Sequence, residues 1–299
     1  MDVVFIFTKK LIELMVKENG TCGIVLLNYF TAHLLKKLCK SFLSSSKEFK
    51  FKIYIVDNSC NEAEWSKLEL ISKCCDSISI HKSIKNLGYG AGNYIGVRKA
   101  FEEGCDGVII CNPDVEIPNI SNFDYFITKI EHSLNKLSKP VIAAPQVFNP
   151  FTNSTENPIN FPHFFHELLG LRISKSLFSF SGCFFFMNYN AVKSIDYFPR
   201  DVFMYNEELI IGKMLKEVNA DYIFVEDAQV NHCHKKEFNG FYSEFKRKKN
   251  QISSRIYVYI NYFEGTYLKS IFLFTSLWIK GTLTIILKIL LTTKNYPIK

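Results

Sequence analysis

Two adjacent carboxylates, Glu207 and Glu208, stand in FMYNEELIIG (203–212), a stretch that is otherwise mostly apolar. A carboxylate held against a reacting hydroxyl can take its proton, so the pair is a candidate for general base catalysis. Acidic side chains also suit the first turn of a helix, because they offset the positive end of the helix dipole. The local pattern leaves both interpretations open, and the two are compatible.

A third acid, Asp114, lies in CNPDVEI (111–117), directly after a short apolar run. Proteins usually hold Mg²⁺ or Mn²⁺ with one or two oxygen ligands and leave the rest to substrate phosphates. Asp114 is therefore a candidate metal ligand, and His232, from a distant strand end, could be another. A type I turn explains the motif equally well. We interpret His234 as a surface residue rather than a ligand.

The stretch NLGYGAGNYIG (86–96) contains glycines at 88, 90, 92 and 96. They do not satisfy the dinucleotide pattern Gly-x-Gly-x-x-Gly, because its third glycine falls on Asn93, so a hydride-transfer enzyme is disfavoured. Glycines still let a ligand approach the backbone, and the N-terminus of a following helix suits phosphate. A plain glycine turn is the alternative.

These residues need a scaffold, and from residue 22 to about 145 short β-branched runs alternate with helical periodicity, as in βαβ units. Strands are predicted at 23–27, 52–56, 77–80, 107–110 and 141–144, and helices at 31–45, 61–74 and 92–103. Asn28, Asp57 and Asn112 each follow a strand, at the edge where open α/β sheets bind ligands. The segment 146–180 is predicted to be a long excursion over the crevice, such as a substrate lid.

The 299 residues are 47% hydrophobic with a net charge of +7, which is typical of a globular chain and argues against disorder. Nine cysteines without a Cys-x-x-Cys pair indicate a reducing cytoplasm. The first 20 residues are predicted to form an amphipathic helix. The basic run 246–249 fits an anionic membrane surface as well as nucleic acid.

The C-terminal segment 267–291 is apolar but interrupted by Lys269, Lys280 and Lys288. These lysines share one side of a helical wheel, which favours a helix lying in the membrane interface. A tilted membrane span with snorkelling lysines and a core helix of the folded domain are the alternatives.

Taken together, several motifs resemble the inverting family 2 glycosyltransferases of the GT-A fold, and more narrowly their rhamnosyltransferase-like branch, which builds bacterial surface polysaccharides such as O-antigen or capsule. The motifs, which span roughly residues 22–235, are VLLNY, IVDNS, NLGYGAGNYIG, CNPDV, SGCFFF, FMYNEEL and VNH. The resemblance implies an α/β fold with a mostly parallel central sheet flanked by helices. The implied domains are an N-terminal helix (1–20), the GT-A domain (21–240) and a basic, apolar helical extension (241–299).

The resemblance also implies roles for individual residues. Asp114 and His232 would hold Mn²⁺ or Mg²⁺, Gly182 would lie beneath the sugar and acceptor, and Glu208 takes the position of the base, with Glu207 orienting the acceptor or bracing the loop. The residues implied in nucleotide binding are Asn28, Asp57, Asn86, Gly88, Gly92, Asn93 and Asn112. The chain departs from the family pattern at Asn112, in place of the first acid of Asp-x-Asp, and in having a Glu-Glu pair where Glu-Asp is usual.

The expected activity is transfer of a sugar from a nucleotide-diphosphate sugar to a glycan acceptor, which is expected to be lipid-linked. The expected location is the cytoplasm, peripherally bound to the inner face of the membrane, with no nucleic-acid partner. A non-catalytic binding or scaffolding protein of the same fold is the alternative. A sugar nucleotidyltransferase is disfavoured, because LLNYFTAHLLKK follows the first strand where a glycine-rich basic loop would be needed.

Overall fold

The computed structural model describes residues 20–44, 50–134, 138–157, 180–234 and 240–263, with isolated helical positions between 268 and 283. The predicted N-terminal helix, residues 158–179 of the predicted excursion and most of segment 267–291 lie outside the described residues. The strands are β1 (Thr21–Asn28), β2 (Lys50–Asp57), β3 (Ile78–Lys82), β4 (Gly107–Cys111), β5 (Val115–Glu116), β6 (Val141–Asn149), β7 (Ser154–Thr155), β8 (Phe184–Asn188) and β9 (Asp221–His232). The helices are α1 (Ala32–Leu43), α2 (Glu62–Ser72), α3 (Gly88–Glu102), α4 (Ile120–Ile130), α5 (Tyr189–Ser194), α6 (Glu207–Glu217) and α7 (Phe241–Tyr262), with a 3₁₀ turn at Glu131–Leu134.

All five predicted strands and all three predicted helices of the N-terminal half form. The predicted helix at 92–103 begins earlier, at Gly88, so the glycine-rich stretch is mostly helical rather than a turn. The predicted excursion begins later than expected, because β6 continues to Asn149 and β7 pairs back onto it. A register shift between Pro145 and Gln146 marks the point in β6 where the prediction placed the end of the strand.

The strands form one sheet in the order β3-β2-β1-β4-β8-β6-β9-β5, with β7 beside β6. The first four strands of this order are parallel, as the βαβ pattern predicts. The remainder is mixed, since β8 is antiparallel to both β4 and β6, and β5 is antiparallel to β9. The predicted α/β sheet is therefore confirmed, but its predominantly parallel character is limited to the N-terminal half.

The sheet is buried on both faces. Along β1, Ile24 and Leu26 belong to one hydrophobic cluster with α1, α2 and α4, whereas Val25 belongs to a second cluster with α3, α5 and α6. Successive side chains of a strand point to opposite faces, so a strand covered on both sides must be apolar at consecutive positions. This requirement explains the uninterrupted apolar runs of β1 and β4.

Helix α3 approaches a loop that leads to the paired carboxylates. The amide of Tyr89 donates to the Phe203 carbonyl at 2.8 Å. Gly88 has a φ of +82°, and a Cβ added there would lie 2.1 Å from the same carbonyl oxygen. At Gly90 an added Cβ would lie 2.3 Å from the Pro199 carbonyl oxygen. Glycine is thus required by close packing of protein on protein at both positions.

None of the helices among the described residues is both long and apolar enough to cross a bilayer.

The Gly88 contact yields a stability prediction. We expect Gly88→Ala to lower the free energy of unfolding by about 2–5 kcal/mol, combining a left-handed alanine with an overpacked contact. Gly104→Ala is the matched control, because Gly104 has a φ of +85° and no atom within 4 Å of an added Cβ. The control should lose only about 1–2 kcal/mol in chemical denaturation. Equal losses in the two variants would contradict the packing explanation.

Candidate active site

A cavity of about 810 Å³ opens beyond the ends of β4 and β9 and the start of β8. It is lined by Tyr89, Asn112, Asp114, Glu156, Ser181, Gly182, Cys183, Met204, Tyr205, Asn206, Glu207, Glu208, His232, His234, Arg247, Lys248, Gln251, Ile252, Arg255 and Lys280. Six residues predicted for the site therefore share one cavity: Asn112, Asp114, Gly182, Glu207, Glu208 and His232. The other predicted nucleotide-binding residues are not in its lining.

Strand pairing brings Asp114 to His232. Asp114 directly precedes β5, and β5 pairs with β9 so that Val115 lies opposite His232. The Cys233 amide also donates to the Asp114 carbonyl at 2.8 Å. Two residues separated by more than a hundred positions are thus fixed by backbone hydrogen bonds, which hold side chains more rigidly than a loop could.

Four side chains form what we call the Asp114 cluster: Asp114, Glu156, His232 and His234. Oδ2 of Asp114 lies 3.5 Å from His232 Nε2 and 3.3 Å from His234 Nδ1. The other ring nitrogen of His232, Nδ1, lies 2.7 Å from Glu156 Oε2. His232 is therefore bound between two carboxylates, and the two imidazole rings stack with centroids 5.6 Å apart.

Within the cluster, the pKa values of Asp114 and His232 are shifted in opposite directions. Burial raises the pKa of Asp114, but hydrogen bonds from His232 and His234 outweigh it and hold the pKa well below its ordinary value. Burial lowers the pKa of His232, but hydrogen bonding, led by that to Asp114, outweighs it and raises the pKa to about 12. Asp114 is thus a carboxylate and His232 an imidazolium when the cluster has only its own groups as partners.

The donor set of the cluster fits a divalent cation. Carboxylate oxygen and imidazole nitrogen are ligands that Mn²⁺ accepts, and oxygen ligands completed by phosphate suit Mg²⁺. One ligand atom from each of Asp114, His232 and His234 lies within 4.8 Å of the other two. A ligating imidazole must be neutral, so a cation bound here would displace the proton of His232.

Helix α6 begins at Glu207, so both carboxylates lie in its first turn. Tyr205 and Asn206, which precede it, have φ values of 74° and 67°. Three other helices, α2, α4 and α5, are capped by an asparagine side chain, whereas the N-terminus of α6 has no such cap, like those of α1, α3 and α7. Its first turn instead carries the two acids. The helix-start interpretation of the pair therefore holds, and it is compatible with a role as a base.

The two carboxylates differ in environment. Glu207 is 3% exposed, and its Oε1 has no hydrogen-bond partner among the described residues. Burial, followed by the charge of Glu208, raises the pKa of Glu207 to about 8. Burial also raises the pKa of Glu208, against its own backbone amide and the Arg255 guanidinium, which lower it. With a pKa of about 8, Glu207 is thus protonated at neutral pH.

Glu208 faces the floor of the cavity. Its Oε2 would lie 3.8 Å from a Cβ added at Gly182, which places this carboxylate over the glycine. The Gly182 carbonyl accepts a hydrogen bond from the Tyr89 hydroxyl at 2.6 Å. A side chain at position 182 would enter the space in front of Glu208, so glycine there keeps the carboxylate open to a ligand.

Of the remaining predicted nucleotide-binding residues, Asn28 and Asp57 lie at the adjacent ends of β1 and β2, and Asn86, Gly88, Gly92 and Asn93 lie just before α3 or in its first turns. Asn28 and Asp57 are opposite each other in the sheet, and Asn28 Nδ2 donates to Asp57 Oδ1 at 2.9 Å. Asn58 Nδ2 donates to the Gly88 carbonyl at 2.9 Å. Asp57 is completely buried, and its Oδ2 has no partner among the described residues.

The two asparagines near this point repeat the pattern. Oδ1 of Asn58 and Oδ1 of Asn93 are buried with no partner within the described part of the chain. Gly92 packs against the first of them, since a Cβ added there would be 2.9 Å from Asn58 Nδ2. The Asn86 side chain is already hydrogen-bonded within its own turn, because its Oδ1 accepts from the Gly88 backbone amide at 2.9 Å. Unpaired buried acceptors are uncommon and indicate a place where a donor group is missing.

Sequence reasoning missed two members of the Asp114 cluster. Glu156 lies in the predicted excursion, and only the pairing of β7 with β6 shows that it returns to the site. His234 was interpreted as a surface residue, yet its Nδ1 lies 3.3 Å from Asp114. His234 is half-exposed and lines the cavity, so it is both a surface residue and a member of the Asp114 cluster. The His-x-His spacing was the one available signal, because alternate residues of an extended segment share a side.

The fold is shared with solved glycosyltransferases. A mannosyltransferase from Pyrobaculum calidifontis, PcManGT in complex with GDP-Man and Mn²⁺, matches with a TM-score of 0.53 and 13% identity over 80% of this chain and 65% of that chain. GalNAc-T7 with UDP, GalNAc and Mn²⁺ matches with a TM-score of 0.55 and 14% identity over 74% and 45%. TarS from S. aureus in complex with UDP-GlcNAc matches with a TM-score of 0.53 and 12% identity over 88% and 73%.

The chain has the GT-A fold. The fold expected from the motif resemblance is thereby confirmed, and at these identities the likeness concerns the fold alone. The chain spans about two thirds of PcManGT and less than half of GalNAc-T7. No protein-family model and no curated protein sequence matches the chain.

The protonated state of Glu207 has a measurable consequence for stability. A pKa raised from 4.5 to about 8 means that the folded state binds the proton more tightly than the unfolded state. The stability from this proton is complete below pH 4.5 and is lost as the pH rises towards about 8. We therefore expect Glu207→Gln to gain stability over the unaltered chain by on the order of 1 kcal/mol per pH unit across that window.

Urea denaturation between about pH 5 and pH 8 measures this difference. The matched control is Glu217→Gln on the same helix, because Glu217 is mostly exposed and pairs with Lys213 at 2.9 Å. Its difference from the unaltered chain should stay constant with pH. A constant difference for Glu207→Gln as well would show that Glu207 is already ionised in the folded state.

Proposed function

We propose that this chain is an inverting glycosyltransferase that transfers a sugar from a nucleotide-diphosphate donor to a hydroxyl of a glycan acceptor. The observation that carries the proposal is that one cavity of a GT-A fold contains both the Asp114 cluster and the Glu207–Glu208 pair. We further propose the family 2, rhamnosyltransferase-like branch, on the motif order in the sequence. The acceptor would be a lipid-linked intermediate of a bacterial surface polysaccharide, met at the inner face of the membrane.

The reaction needs two functions on opposite sides of the sugar. The leaving diphosphate must be neutralised, and the attacking hydroxyl must lose a proton. Asp114, with His232 and His234, would hold a divalent cation, and that cation would stabilise the negative charge of the departing diphosphate. Asn112 lies at the same strand end, with its amide donating to the Cys183 carbonyl at 2.8 Å, which fixes the turn that presents Asp114.

Glu208 is the better base of the pair. Its carboxylate faces the space above Gly182, where an acceptor hydroxyl would lie. Glu207 is 3% exposed, and burial raises its pKa to about 8, so at neutral pH it already carries a proton and cannot accept another. A protonated Glu207 also removes a like charge from beside Glu208, which favours the ionised form of Glu208.

The buried acceptors at the end of β2 support a nucleotide partner. Asp57, Asn58 and Asn93 each present an oxygen with no partner among the described residues. Nucleobases carry N–H donors on their pairing edges, so a base entering here would satisfy oxygens that the folded chain leaves unpaired. Asn28 holds Asp57 in place through the 2.9 Å bond between their side chains.

Transfer can be tested by screening UDP-, GDP- and dTDP-linked sugars with Mn²⁺ or Mg²⁺ and measuring release of nucleoside diphosphate. With the active donor, we expect Glu208→Gln to reduce turnover by about 10²–10⁴-fold, which is the usual contribution of a general base. Glu207→Gln should retain turnover within a few-fold at neutral pH, because glutamine resembles the protonated acid. Glu217→Gln is the control for loss of one acid on α6.

The opposite ranking of the two variants would reassign the base to Glu207. Release of nucleoside diphosphate from none of the donors, with or without acceptor, would favour the non-catalytic binding protein instead. Anomeric configuration of the product, read by proton NMR, checks the inverting stereochemistry directly, since a retained configuration would contradict a single displacement.

Cation binding gives a test that does not depend on turnover. We expect the unaltered chain to bind Mn²⁺ and Asp114→Asn to bind it at least 10-fold more weakly in calorimetry or by the Mn²⁺ paramagnetic signal, since a ligand and its charge are both lost. Asp76→Asn is the control, because Asp76 is exposed and distant in the chain from the cavity residues. Equal affinities of the two variants would remove Asp114 from the ligand set.

A further inference from the structure

Helix α7 presents one polar, cationic side to the cavity. Arg247, Lys248, Gln251 and Arg255 all line it, and Gln251 lies three or four residues from each of the others, which places the four on one side of a helix. The same side includes Glu244, which is buried and accepts from Arg247 Nη2 at 2.6 Å. A guanidinium has five N–H donors, so this bond positions Arg247 and still leaves donors for a ligand.

The helix divides the basic run that the sequence shows as one cluster. Arg247 and Lys248 line the cavity, whereas Lys246 and Lys249 are exposed and do not. The run therefore contains two cations that can act on a ligand in the cavity and two that face away from it. This division provides test and control residues of the same charge on one helix.

Arg255 stands on the side of the cavity where the acceptor must bind. It lines the same cavity as Glu208, and its charge partly offsets the burial that raises the pKa of that carboxyl. Helix α7 packs directly on α6, with Val258 against Leu209 and Ile210, and Ser254 accepts from the Asn206 amide group at 3.1 Å. Among the described residues, no carboxylate forms an ion pair with Arg255.

We propose that this α7 side is a phosphate-binding subsite for the acceptor, so that the acceptor is a phosphate-bearing glycan rather than a neutral sugar. The inference rests on the proposed function, because it takes the hydroxyl at Glu208 as the nucleophile. Arg255 and Arg247 bind the phosphate, and its charge offsets theirs next to the carboxylate pair. Arginine is suited to this role, because its planar fork donates two parallel bonds to phosphate oxygens.

The position of Arg255 favours the acceptor, rather than the donor, as the source of this phosphate. The donor diphosphate belongs with the Asp114 cluster, which the strands β4, β5 and β9 hold at the sheet edge. Arg255 belongs instead to the helix that packs on the base-bearing α6. A phosphate on α7 therefore lies on the same side of the reacting sugar as the base.

The first arm of the test measures binding without turnover. Inorganic pyrophosphate is titrated into the full chain in the presence of a chelator, by calorimetry, for Arg255→Gln, Lys249→Gln and His234→Gln. We expect at least a 10-fold loss of affinity for Arg255→Gln, no change for Lys249→Gln, and little change for His234→Gln. Loss in His234→Gln with none in Arg255→Gln would place the anion at the Asp114 cluster only and overturn the inference.

The second arm uses transfer, with an oligosaccharide acceptor that carries a phosphomonoester and the same acceptor after dephosphorylation. Both acceptors are compared at the same series of pH values, so that a change in the ionisation of Glu208, which affects both acceptors alike, is separated from a change in phosphate binding. Arg255→Gln should raise KM for the phosphorylated acceptor at least 10-fold with kcat nearly unchanged, and should leave the KM of the neutral acceptor unaltered. Arg255→Lys should recover part of the loss, and Lys249→Gln should show none.

A third arm presents the same glycan on a polyprenyl diphosphate in phosphatidylcholine vesicles. Preference for the vesicle acceptor, lost in Arg255→Gln, assigns the phosphate to a lipid carrier, and preference for the free phosphorylated glycan assigns it to the glycan itself. Both results support the subsite. Equal KM values of Arg255→Gln and the unaltered chain for every phosphorylated acceptor overturn the subsite and leave the glycosyltransferase proposal intact. Absent transfer from every donor overturns the glycosyltransferase proposal, and with it the assignment of the phosphate to an acceptor, even where pyrophosphate binding that depends on Arg255 is retained.

Discussion

Negative charge in one cavity is the constraint on which this site depends. Asp114, Glu156, Glu207 and Glu208 all line the same space, and ionised acids brought out of water together repel one another. The chain compensates in three ways. Imidazoles pair with the first two acids, a raised pKa keeps Glu207 protonated, and cations of α7 face Glu208. The groups that balance the acids also line the cavity, so they would contact a ligand bound there.

The mixed sheet explains how the two halves of the site come together. The parallel strands β1 to β4 bring polar residues to one edge, as in any open α/β sheet. The antiparallel pairs are what complete the cavity, since β5 on β9 delivers His232 to Asp114, and β8 on β4 delivers Gly182. The Asp114 cluster is therefore built on strands, and the Glu207–Glu208 pair is built on α6, against which α7 packs.

Much of this arrangement could be read from the sequence, and the failures have physical causes. The strands of the N-terminal half are short, β-branched and buried on both faces, so they show in the sequence as continuous apolar runs between helical segments. Helix α3 begins before its predicted start because packing against Pro199 and Phe203 overrides the poor helix propensity of glycine. Glu156 could not be predicted, because its position depends on β7 pairing back onto the end of β6.

The different environments of the paired glutamates could not be predicted from the sequence. A first-turn position and a position in a ligand cavity are indistinguishable from the sequence alone, and in the structure Glu207 and Glu208 occupy both. What separates them is their position on the helix surface, because Glu207 is almost completely buried whereas Glu208 places its Oε2 near Gly182. Both still line the cavity, unlike the basic run of α7, in which Arg247 and Lys248 line it and Lys246 and Lys249 are exposed outside its lining. Neighbouring like charges on a helix therefore acquire different environments that the sequence alone does not show.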